Sequence, residues 1–105
     1  PPDLKARLLI DFADEVFAGE EGDFARNLLL TRFVNEPTRA QNLLGGLTVS
    51  RSNLARTNLS EGMIAALSDE DLEQIAIRMR EQYYKEIYWD ALEYHALEIL
   101  KEHEP

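Results

Sequence analysis

At 105 residues, with 45% apolar and 30% charged side chains, the chain has the size and make-up of one folded domain, and its regular apolar spacing argues against disorder. It has no cysteine, which excludes disulfides, thiolate metal sites and a cysteine nucleophile, and its net charge is −9. No apolar run approaches a membrane span and no signal-peptide pattern is visible, so no membrane partner is expected and the expected location is cytoplasmic.

A chain this short buries only about 60–65% of its unfolded surface, so its core is thin and an oligomer would thicken it. The sequence begins at Pro1-Pro2 instead of Met, which fits processing or trimming at that end. The charge is unevenly placed. Residues 1–23 carry seven acidic and two basic side chains, and residues 60–105 carry twelve and four. Between them, Arg26, Arg32, Arg39, Arg51 and Arg56 face only Glu36. A basic middle made of arginine suits carboxylate or phosphate. Neutralisation by the acidic ends, within one subunit or across a dimer, is the favoured explanation, because the acidic flanks oppose a polyanion.

Asp3 is placed to cap a first helix running to about Ala18, with Leu4, Leu8, Phe12 and Val16 on one face. Gly19 and Gly22 then read as a loop, and Asp23 as the cap of a second helix from Phe24 to about Asn35, stopped by Pro37. The acidic residues of 11–23 lack the spacing of a calcium loop. Thr38 and Gln41 form a capping-box pattern for a short helix, Arg39 to Leu44, ended by Gly45-Gly46. Leu47-Thr48-Val49 reads as an extended linker. Ser50 or Ser52 can cap a short helix through Leu54 and Ala55, extending toward Leu59, and Ser60 another over Gly62 to Leu67.

The last third, 68–103, has no Gly and no Pro and holds every Tyr and the only Trp. As one helix it would be about 50 Å long. Its start is well specified. Ser68 and Asp71 form a capping box, Leu67 and Leu72 occupy the staple positions, and Asp69, Glu70 and Asp71 suit the positive end of the helix dipole. Its apolar face is not continuous. Leu72, Ile75, Ala76, Met79 and Tyr83 make one stripe, whereas Tyr84, Ile87, Tyr88, Ala91, His95 and Ile99 make another, rotated by roughly 130°. Trp89, Leu97 and Leu100 fall outside both. Either the chain breaks or bends near 82–86, giving two helices, or its halves bury against different things. With no Pro or Gly to mark a break, the second is the expectation, with the first half on its own subunit and the second half on a partner.

Gly46-Leu47-Thr48-Val49-Ser50-Arg51-Ser52-Asn53-Leu54-Ala55-Arg56 resembles the turn and recognition helix of helix-turn-helix regulators, with a longer turn. The resemblance implies base or phosphate contacts by Arg39, Arg51, Asn53 and Arg56. Catalytic motifs are missing. Neither His95 nor His103 has a Glu three residues before it, and no phosphate loop or nucleophile elbow occurs. Glu86, Asp90 and Glu93 share a helix face and read as a solvated surface.

The sequence thus predicts a single all-α domain over 1–105, a bundle of four to six helices with a long C-terminal helix over 68–103, and a dimer. No catalytic residue, metal or cofactor is expected. The expected activity is binding of a second copy or of another, basic protein. The candidate interface is Tyr84, Tyr88, Trp89, His95, Ile99 and Leu100, because Tyr and Trp join large apolar area to a polar handle. DNA binding through residues 38–58 is the alternative.

Overall fold

The computed structural model describes residues 19–33, 36, 38, 47–82 and 87–104 of the chain. These form an all-α fold with five helices and no strand among the described residues: α1, Gly19–Arg32; α2, Arg51–Leu54; α3, Glu61–Ala65; α4, Asp69–Gln82; and α5, Tyr88–Glu102. The expected helices before Ala18 and over Arg39–Leu44 lie outside the described residues.

The second expected helix starts earlier than its sequence suggests. Gly19, at φ +82°, opens α1, and Gly22 and Asp23 are helical, not loop and cap. The Asp23 carboxylate instead reaches across to the Thr48 hydroxyl and to Arg26, so it ties α1 to the extended segment 47–50. Leu30 is the α1 residue in the main core, while Leu28 is exposed.

Three serines set the next three helix starts. Ser50 and Ser60 have extended backbones, and their hydroxyls accept from the N–H of Asn53 and Met63, each at 3.2 Å. The Ser68 hydroxyl accepts from Asp71 N–H at 3.1 Å, and the Asp71 carboxylate accepts from Ser68 N–H at 2.8 Å, closing the expected box. Leu67 and Leu72 are both buried beside it. The segment before α2 is extended, as expected. Leu47 is fully buried there, and its carbonyl accepts from Arg80 at 2.6 Å.

The long C-terminal helix is two helices. Ile87 has φ −71° and ψ 134°, an extended conformation, so the run expected over 68–103 breaks before Tyr88. The halves do not bury on separate bodies. α5 folds back antiparallel on α4, with His103 beside Asp71 at 3.1 Å and Arg78 bonded to Glu98 and Glu102 at 3.4 and 3.0 Å. The reason lies in the rotated stripes. A break lets Leu72, Ile75 and Met79 of α4 meet Tyr88, Ala91, Leu92, Ala96 and Ile99 of α5 in one core. A straight helix would have left one stripe in water, at about 1.5–3 kcal/mol for each large side chain.

Candidate functional site

Helix α5 has an inner face with all of its buried residues and an outer face with Asp90, Tyr94, Leu97 and Lys101. The outer face is anchored by what lies at its edges. The His95 ring is buried, and its Nδ1 lies 2.7 Å from Glu98 Oε1. Glu98 also accepts from Arg78 of α4, which further reaches Glu102. The hydrogen bond from His95 pulls the Glu98 carboxyl below its ordinary range, against burial, with help from Arg78. The Arg78 guanidinium is raised, first by its bond to Glu102. These contacts tie α5 to α4.

Two open grooves flank this outer face and share Leu97 and Lys101. One, of about 640 Å³, lies between α3 and α5; Met63, Ala66, Leu97 and Leu100 give it apolar walls, and Lys101 and Glu104 line it too. The other, of about 630 Å³, is lined by Tyr94, Leu97, Glu98, Lys101 and Glu102. Tyr94, Met63 and Leu97 are 54%, 43% and 41% exposed, so three large apolar side chains stand in water around one helix. α3 presents Met63 because Ser60 starts it and only Ile64 of its five residues turns inward.

The expected interface is distributed differently from its sequence pattern. Tyr88, His95 and Ile99 are buried within the chain's own core, so these three do not form an exposed contact surface. Trp89 is half-buried, edge-on to Tyr88 at 4.8 Å and tilted against Phe24 at 6.0 Å. Leu100 lines one of these two grooves, and Tyr84 lies outside the described residues. Sequence reasoning left Tyr94, Leu97 and Met63 off the site. The signal was the position of Leu97, an apolar residue outside both apolar stripes.

The residues expected to reach DNA are also engaged in the fold. Asn53 is fully buried. Arg51 bonds Asp69 at 3.0 Å and the Leu67 carbonyl at 2.6 Å, so it joins α2 to the start of α4. Arg56 lies over the Phe24 ring at 4.2 Å. Arg39 lies outside the described residues, and α2, at four residues, is a single turn. Of the carboxylates expected on one solvated face, Asp90 is exposed, Glu93 accepts from Asn58 N–H at 2.8 Å, and Glu86 lies outside the described residues. Among the described residues no three His, Cys, Asp or Glu side chains gather to hold a metal ion, and no helix is long and apolar enough to cross a membrane. No protein-family model, curated protein or solved structure matches the chain.

Proposed function

We propose that this chain is a small acidic protein-interaction module that binds a second copy or a partner protein through the outer face of α5. The observation that carries the reading is the grouping of Tyr94, Leu97 and Met63, each more than two-fifths exposed, around two adjoining grooves. Single exposed apolar residues are ordinary, but a group of them from α3 and α5 around adjoining grooves supports a contact surface. Nucleic acid is the less supported partner, since Asn53 is buried and Arg51 is held by Asp69 and the Leu67 carbonyl. A cysteine-free sequence fits a cytoplasmic, reducing setting.

The test places a photo-crosslinking residue at position 97 and, as a control, at position 77, where Ile77 is exposed on α4. Irradiation in extract of the source cells should give discrete adducts from position 97 and none from 77. Light scattering over a wide concentration range separates self-association from a different partner. A chain that stays monomeric and yields no discrete adduct from position 97 removes the reading.

A further inference from the structure

The chain holds two sulfur atoms, the thioethers of Met63 and Met79, and no thiol. The fold treats them in opposite ways. Met79 is fully buried in the main core, whereas Met63 is 43% exposed and lines the groove between α3 and α5. Resting on the reading of this face as a contact surface, we propose that Met63 is a peroxide-responsive modification site whose oxidation to the sulfoxide turns that surface off.

Peroxides take thiolates first where a protein has them, and here they meet none. Access then decides between the two thioethers, and it favours Met63. Gly62 and Ala66 stand beside it along the groove, with no side chain or a single methyl to shield the sulfur. α3 is held to the core through Ile64, its one buried residue, so the Met63 side chain can change without unpacking the fold. In the reaction a sulfur lone pair attacks one peroxide oxygen. The S–O bond forms as the O–O bond breaks, the sulfur loses two electrons, and the departing hydroxide takes the remaining proton and leaves as water. The product is a polar, chiral side chain in place of a flexible apolar one that fits irregular neighbours. It stands in the same groove wall as Leu97 and Leu100, so the apolar contact is lost where Met63 supplied it.

The test exposes the folded full chain to hydrogen peroxide and follows it by intact mass and peptide mapping. One oxygen should be added, at Met63, at least about tenfold faster than at Met79, and the two should react alike in urea. Circular dichroism of the oxidised chain should be unchanged. The chain with the photo-crosslinking residue at position 97 is then oxidised, freed of peroxide and mixed with desalted extract of the source cells. It should give about tenfold fewer adducts than the reduced chain, and light scattering should show the same loss where the partner is a second copy. Methionine sulfoxide reductases with a dithiol, which becomes a disulfide as the oxygen leaves as water, should restore the adducts. Met63→Leu keeps an apolar wall without sulfur, and should keep its adducts after peroxide.

Equal oxidation of Met63 and Met79 in the folded chain overturns the proposal, and so does loss of helical signal on oxidation. Adducts that survive complete oxidation of Met63, or that Met63→Leu fails to protect, also overturn it and leave the contact-surface reading standing. If the reduced chain is monomeric and yields no adduct from position 97, the contact-surface reading falls and the switch with it.

Discussion

The starts of α4 and α5 lie in the same hairpin and are specified in opposite ways. α4 begins on a closed capping box, three acidic residues and a pair of buried leucines, all within Leu67 to Leu72. α5 begins after Ile87, which is 54% exposed and supplies no side-chain cap, and its first residue, Tyr88, is fully buried. One start is encoded by neighbours in sequence, and the other by neighbours in space. A local device can be read from six residues. A tertiary one cannot, because it depends on what the stripe of α4 needs to bury.

The largest expected effect breaks the tertiary start. Tyr88→Ala removes an aromatic side chain that joins the core of α4 and α5 and stacks edge-on with Trp89. It should destabilise the chain by about 3–5 kcal/mol in chemical denaturation. A loss below about 1 kcal/mol would mean that α5 does not depend on its inner face, and the contrast with α4 would collapse.

A smaller pair of changes exchanges the two kinds of start. Ser68→Ala opens the capping box and should cost about 1 kcal/mol, because Asp71 N–H loses its acceptor. Ile87→Asp supplies α5 with the cap it lacks, at an exposed position with extended backbone suited to one. It should stabilise the chain by about 0.5–1.5 kcal/mol. An unchanged midpoint for Ile87→Asp would show that some other group already satisfies the first N–H groups of α5.

This contrast also explains how much was legible. The all-α class, the extended segment at Leu47–Val49, the serine caps and the α4 stripe were readable, since each depends on residue types a few positions apart. The break before Tyr88 was half-readable. The rotation between stripes showed that one straight helix could not serve one core, but with no Pro or Gly in 68–103 nothing local favoured folding back over meeting a partner. Placing Tyr88, His95 and Ile99 at an interface followed from that choice, because an aromatic or histidine on an apolar face looks the same whether a partner or the chain itself covers it. Once α5 turned inward, Leu97 and Tyr94 were left outside, and Met63 joined them through a contact between α3 and α5 that no local pattern encodes.

The smallest expected effect concerns acid. Burial works to raise the Asp71 carboxyl, but the Ser68 N–H, the Ser68 hydroxyl and nearby His103 together hold it below its ordinary 3.8. Glu98, held by His95 and Arg78, likewise lies below its ordinary 4.5. A carboxyl with a depressed folded pKa binds its proton more readily in the unfolded chain. Its contribution is therefore complete above the ordinary values and fades as pH falls through the lower folded ones. Stability should thus drop on acidification below about pH 4.5, where both carboxylates titrate. Asp71→Asn keeps the size of the side chain but removes its titration, so the slope of stability against pH below about pH 4 should flatten in that variant, while the slope due to Glu98 persists. The matching variant Glu98→Gln should flatten the part that begins nearer pH 4.5. Asp71 closes the box at the start of α4 and also meets His103 beyond α5, whereas Glu98 is held by His95 of its own helix and by Arg78 of α4, so the two slopes report two separate contacts of the hairpin. If both variants retained the wild-type acid limb, the carboxylates holding the hairpin together would have to be others.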